Sequence, residues 1–243
     1  MMNKLLMLFA VSATVVGSAF ANVSDMKLRE ILGRAVGYID DPDGGPGEVC
    51  YAIRFAENDT NRVVSLMKQL VAEGAARVGI TRFYLSEIGK YGTSSDLPFL
   101  YQRVSETNLC ETATKAILKI EGLTTNSLMR FTTLIPDELP GVWNPWPVHA
   151  WCRLLEASKK FPADSEIRAL TMSNAVQYAT RQRESVELFD GCLKHADPTY
   201  RMSKRRLAVL RSVRDLGVNE YQTNYVTNAI NELVAYPEAD LPE

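Results

Sequence analysis

The sequence lacks the short motifs that mark common enzyme classes. It contains no G-x-S-x-G nucleophile turn, no H-E-x-x-H zinc helix, no P-loop and no G-x-G-x-x-G dinucleotide fingerprint. Carboxylates are plentiful, but no spacing singles out an acid/base pair. The sequence therefore predicts no catalytic residue and no cofactor. It leaves enzymatic activity open and favours a binding protein.

An excess of positive charge is also missing. Lysine and arginine number 27 against 29 acidic residues, a net charge of −2 at pH 7, which argues against a nucleic-acid partner. The longest apolar run, Leu5–Val16, is nearer a dozen residues than the ~20 that a bilayer span needs. It follows Lys4 and ends at Ala19-Phe20-Ala21, an A-x-A cleavage site.

These N-terminal features predict a signal peptide over residues 1–21. We expect residues 22–243 to be exported, to the periplasm or outside the cell, with no transmembrane segment after cleavage. A protein partner would then be found in the cell envelope or outside the cell.

The remaining apolar residues recur at helical spacing, and no stretch reads convincingly as a strand. Leu28, Ile31 and Leu32 fall on one helix face, as do Val63 and Met67. The sequence therefore predicts an all-α fold. A run rich in glycine and proline over residues 40–47 predicts a break between two helices.

Several segments share the pattern of a helical hairpin. One runs from Asp96 to a glycine stop at Gly122, and another from Leu188 to a stop at Gly217. A third hairpin, over residues 148–179, lies about 40 residues before the hairpin that begins at Leu188. A shift of this length is typical of two-helix repeats.

These segments resemble HEAT-like repeats over about a third of the chain. The matching residues are Ser95–Leu100 (SDLPFL), Ala113, Ala116 and Ile117–Gly122, and then Asp197, Pro198, Arg201, Ala208 and Leu210.

The resemblance implies stacked antiparallel helical hairpins, either an α-solenoid or a compact α-α superhelix. Such a scaffold would bind another protein through its stacked-helix surface. Two features depart from the pattern. Cys110 and Thr112 replace the usual Val-Arg pair, and Ile135–Pro147 is too long and proline-rich for a repeat turn. That segment predicts a division into two subdomains within residues 135–147, near residue 140.

Four cysteines in an oxidising compartment predict two disulfides, for which three pairings exist. Cys152 and Cys192 occupy matching positions in neighbouring hairpins, so we expect them to be joined. Cys50 and Cys110 would form the second pair.

All three tryptophans, Trp143, Trp146 and Trp151, cluster around a proline-rich loop. Two interpretations are open. The rings could fill a hydrophobic gap between helical blocks, which we favour, or they could stack on sugar rings or a proline-rich peptide. The second interpretation predicts a glycan- or peptidoglycan-binding protein, with hydrolysis as a further option. Indoles exposed on a concave face beside carboxylates would support it.

Both histidines lie three residues from a cysteine, on a shared helix face. If the two faces met, His149, Cys152, Cys192 and His195 would present the two-sulfur, two-nitrogen set that zinc prefers. A disulfide between the two cysteines is the favoured alternative.

Basic residues crowd the segment between 201 and 214. They could bind an anionic lipid or glycan, or form the solvated face of an amphipathic helix, which is the favoured interpretation. The residues concerned are Arg201, Lys204, Arg205, Arg206, Arg211 and Arg214.

Overall fold

A computed structural model describes residues 23–34, 44–74, 78–137 and 143–242. Every regular element in these ranges is a helix and none is a strand, so the all-α prediction is confirmed. None of these helices has the length and hydropathy of a bilayer span. The predicted signal peptide over residues 1–21 lies outside the described residues.

The chain divides into two compact units, one ending at Asp96 and the other beginning at Leu97. The first contains α1 Asp25–Arg34, α2 Gly44–Phe55, α3 Thr60–Ala72, α4 Val78–Tyr91 and a 3-10 turn, Ser94–Asp96. The second contains α5 Leu97–Val104, α6 Cys110–Ile120, α7 Thr125–Leu134, α8 Trp146–Ser158, α9 Glu166–Ala179, α10 Val186–Ala196, α11 Lys204–Leu216 and α12 Glu220–Val234. Two further 3-10 turns, Pro198–Met202 and Glu238–Asp240, precede α11 and follow α12.

The first unit is built on the helical spacing of its apolar residues. Leu28 and Leu32 of α1 are fully buried, as are Val63 and Met67 of α3. Each pair is four residues apart and therefore lies on one helix face. The buried Tyr84 hydroxyl of α4 donates a hydrogen bond of 2.8 Å to the Leu32 carbonyl. Burial raises the pKa of Tyr84 to about 12, so this donor keeps its proton.

Helix α2 begins inside the run that the sequence predicts as a break. The sequence predicts the break over residues 40–47, but the helix starts at Gly44. Pro46 falls in the first turn, where a helix needs no backbone N–H donor, so the proline does not stop it. Residues 40–43 lie outside the described part of the chain.

The structure divides at residues 96 and 97 and not within residues 135–147, where the sequence predicts a boundary. Helices α6 and α8 lie on either side of that segment and pack against each other. The Arg153 guanidinium of α8 donates to Glu111 of α6 at 3.0 and 3.1 Å. This packing joins the two sides of the segment into one unit.

The glycine stops of two predicted hairpins are confirmed. Gly122 has φ +74° after α6, and Gly217 has φ +77° after α11. Residues with a Cβ rarely adopt this left-handed conformation, so glycine ends the helix at least cost. Thr124 then caps α7, since its hydroxyl accepts from the Ser127 N–H at 3.0 Å.

Candidate functional site

A groove of about 830 Å³ opens on the second unit. We call it the aromatic groove. Its walls are the start of α8 with the residues before it, the outer face of α10, and the start of α12. The lining residues are Trp143, Pro145, His149, Glu184, Ser185, Glu187, Leu188, Gly191, Cys192, His195, Tyr221 and Gln222.

A disulfide joins two walls of the aromatic groove. It links Cys152 of α8 to Cys192 of α10, with the Cα atoms 5.8 Å apart. This is the pair that the sequence predicts. Helix axes usually pack 8–10 Å apart, so each cysteine must lie on the helix face that meets the other helix.

The second predicted disulfide, between Cys50 and Cys110, is not formed. Both residues remain thiols in the structure. Cys50 is exposed on α2 of the first unit, and its sulfur lies 3.7 Å from the Tyr91 hydroxyl. Cys110 is buried at the start of α6 in the second unit, where its thiol donates to the Thr107 carbonyl at 3.1 Å.

The three tryptophans occupy three different environments. Trp151 is 1% exposed and packs on the Tyr178 ring, with 5.4 Å between centroids. Trp146 is half-buried and meets the His149 ring edge-on at 5.6 Å. Trp143 is 69% exposed and lines the aromatic groove. The core interpretation therefore fits Trp151, while Trp143 has the exposure of a binding residue.

The start of α12 adds a second exposed aromatic ring to the groove, beside two carboxylates. Tyr221 is 67% exposed, and its hydroxyl donates to a Glu187 carboxylate oxygen at 2.7 Å. That hydrogen bond raises the pKa of Tyr221. Asn219 caps α12 through the Gln222 N–H and donates its side-chain amide to Glu184 at 2.5 Å. Gln222 accepts from the Glu187 backbone N–H at 3.0 Å. These contacts hold both carboxylates against the start of α12.

His149 lines the groove, and its surroundings shift its pKa toward the neutral form. Partial burial lowers its pKa, although the Glu111 carboxylate, 3.9 Å from Nδ1, acts in the opposite direction. The Glu111 carboxylate also forms ion pairs with Lys115 and Arg153. Burial alone would raise the Glu111 pKa, but hydrogen bonds from these two cations outweigh it and lower that pKa. An uncharged imidazole can both donate and accept hydrogen bonds.

The predicted zinc set does not form a metal centre. The predicted ligands are His149, Cys152, Cys192 and His195. The sulfur atoms of Cys152 and Cys192 are bonded to each other in the disulfide, whereas zinc binds cysteine as a free thiolate. In the described part of the chain, no group of three or more histidine, cysteine or acidic side chains is placed to hold a metal ion.

The basic residues around α11 do not form one solvated face. Arg211 pairs with Glu238, and Arg214 with Asp215, at the surface. Arg206 is only 2% exposed and pairs with the buried Asp190 at 3.1 Å. The favoured interpretation therefore holds for the surface pairs and fails for Arg206.

Sequence reasoning missed the contribution of α12 to the groove. Tyr221 and Gln222 follow Asn219, a good N-cap, so a helix start could have been predicted there. No sequence signal connects that helix start to Trp143 almost 80 residues earlier. The connection depends on how α8, α10 and α12 pack.

No protein-family model, curated protein or solved structure matches this chain.

Proposed function

We propose that this is an exported protein that binds a carbohydrate in the aromatic groove. The observation that carries the proposal is the pair of exposed rings, Trp143 and Tyr221, on a concave surface beside Glu184 and Glu187. This is the arrangement that distinguishes the glycan hypothesis from the scaffold hypothesis.

The chemistry of a sugar ring suits these walls. One face of the ring presents C–H groups, which stack on flat aromatic surfaces, and its edge presents hydroxyl groups. Carboxylates accept hydrogen bonds, and amide and neutral imidazole groups both donate and accept them. The groove offers all three, through Glu184, Glu187, Gln222 and His149. Its volume falls in the range of small-molecule sites, about 300–1,000 Å³.

The proposal is restricted to binding. No observation among the described residues marks either carboxylate as an acid or a nucleophile. Hydrolysis would also need a second group across the scissile bond, at a spacing that depends on the mechanism.

Trp143→Ala is expected to weaken oligosaccharide binding about tenfold or more. The change removes the exposed stacking surface, and a tenfold loss corresponds to about 1.4 kcal/mol, comparable with one aromatic contact. Isothermal titration with neutral and acidic oligosaccharides would measure it. Tyr236→Ala is the matched control, because Tyr236 is 56% exposed but does not line the groove. Affinity equal to wild type in the Trp143 variant would remove the basis of the proposal.

Binding of a protein partner, the leading hypothesis from the sequence, is the second candidate. The aromatic groove supports it in one form, because exposed indole and phenol rings also bind the rings of a proline-rich segment. Titration of the wild-type protein with a proline-rich peptide and with an oligosaccharide separates the two candidates. The carbohydrate proposal predicts that only the oligosaccharide binds the wild-type protein.

A further inference from the structure

A second cavity, of about 460 Å³, lies next to the aromatic groove. We call it the basic pocket. It is lined by Gly191, Lys194, His195, Pro198, Arg201, Arg206 and Glu232. Gly191 and His195 line both cavities, so the two are neighbours along one face of α10.

Gly191 leaves the boundary between the two cavities open. Its φ is not positive, so the backbone does not require glycine, and a Cβ added there would meet no atom within 4 Å. Glycine in the interior of a helix is destabilising relative to alanine. Because Gly191 lines both cavities, a side chain at this position would take up space that they share.

The basic pocket has more positive than negative charge. Arg206 is fixed there by Asp190 at 3.1 Å and by the Arg201 carbonyl at 2.9 Å. The Lys194 ammonium lies 3.0 Å from the same Asp190 carboxylate, so two cations share one buried anion. Glu232 is half-exposed and lies 3.3 Å from Arg206.

Arg201 supplies the charge that the pocket does not neutralise. Its side chain is exposed and forms no ion pair with a described residue. The three cations of the pocket, Lys194, Arg201 and Arg206, therefore exceed Asp190 and Glu232 by one charge. A guanidinium beside a preorganised arginine is well suited to a carboxylate or phosphate group.

From the proposed carbohydrate site and this adjoining charge, we infer that the ligand is an acidic oligosaccharide. Its sugar rings lie in the aromatic groove, and its carboxylate or phosphate group lies in the basic pocket beside Arg201. Glu187 and Lys194 are seven residues apart on α10, about 10 Å along the helix axis, which a short oligosaccharide spans. The inference rests on the proposed function and adds the chemical class of the ligand.

An array of matched oligosaccharide pairs tests this inference. In each pair one member is neutral and the other carries one carboxylate or phosphate group. A suitable pair is diacetylchitobiose and the N-acetylglucosamine–N-acetylmuramic acid disaccharide, which differ by a lactyl ether group. We expect the acidic member of the preferred pair to bind about tenfold tighter or more, as one charge-assisted contact provides. The carboxylate and phosphate arms identify which acid is recognised.

Two variants test whether the acidic group of the ligand binds in the basic pocket. Arg201→Gln and Gly191→Leu should each reduce the preference for the acidic member to about threefold or less. Gly191→Leu should not lower the melting temperature, because leucine is the better helix former. A loss of affinity in this variant would therefore show that the leucine side chain blocks the space between the groove and the pocket. The controls are Arg214→Gln, which makes the same charge change outside the pocket, and Gly33→Leu, an exposed helical glycine with open space around it.

Three results would count against these conclusions in distinguishable ways. Equal binding of acidic and neutral members to the wild type would overturn the acidic ligand and leave the carbohydrate site standing. A preference for acid that both variants retain would overturn its placement in the basic pocket. Binding of no member on the array would overturn the proposed function and this inference together.

Discussion

Replacing Cys152 and Cys192 together with serine is expected to lower the free energy of unfolding by about 4 kcal/mol. The disulfide joins residues 40 apart in sequence, so its removal restores the entropy of an open loop of that length to the unfolded chain. Denaturant unfolding of the double variant and of the wild type, both without reductant, measures the difference.

Cys50→Ser is the matched control for this experiment. Cys50 is an exposed thiol outside the bridge, so its replacement should change stability by less than about 0.5 kcal/mol. A double variant as stable as Cys50→Ser would contradict the bridge between α8 and α10. The walls of the aromatic groove would then need another explanation for their packing.

Trp151→Ala is expected to lower the free energy of unfolding by about 3–5 kcal/mol, the usual cost of truncating a buried aromatic side chain. The indole is 1% exposed and packs against Tyr178, which in turn packs against Phe189 at 5.7 Å. The substitution therefore leaves a cavity between α8, α9 and α10. Denaturant or thermal unfolding of the purified variant measures the loss.

Trp151→Phe and Trp143→Ala are the comparisons for that variant. The Trp151 indole N–H has no hydrogen-bond partner among the described residues, so phenylalanine loses volume but no hydrogen bond and should cost clearly less than alanine. Trp143→Ala, at an exposed position, should change stability by about 0.5 kcal/mol or less. Equal destabilisation by Trp151→Ala and Trp143→Ala would contradict the burial that separates these residues.

Local signals in the sequence account for the helices and for one disulfide. The i, i+3, i+4 spacing in α1 and α3 is enough to predict both helix and buried face, because a helix face is a property of neighbouring residues. The stops at Gly122 and Gly217 follow from backbone sterics at single positions. The sequence pairs Cys152 with Cys192 on the prediction that they occupy matching positions of neighbouring hairpins, and the structure forms this disulfide. The solenoid arrangement implied by the HEAT-like resemblance stays a prediction.

Features that depend on packing between helices could not be predicted in the same way. Trp143, Trp146 and Trp151 look equivalent in sequence, and only the position of each on or before α8 separates core from groove. The basic pocket is another example, because Arg206 and Asp190 become a buried pair only when α10 and α11 meet.

The most direct test of the carbohydrate site is a nuclear magnetic resonance titration of the indole N–H signals. The chain has three tryptophans, so three signals report three environments, and single substitutions assign them. With the oligosaccharide that binds most tightly on the array, we predict a saturable shift of the Trp143 signal and little change in the signal of buried Trp151. A Trp143 signal that stays in place while the oligosaccharide binds would contradict the assignment of the aromatic groove as the binding site.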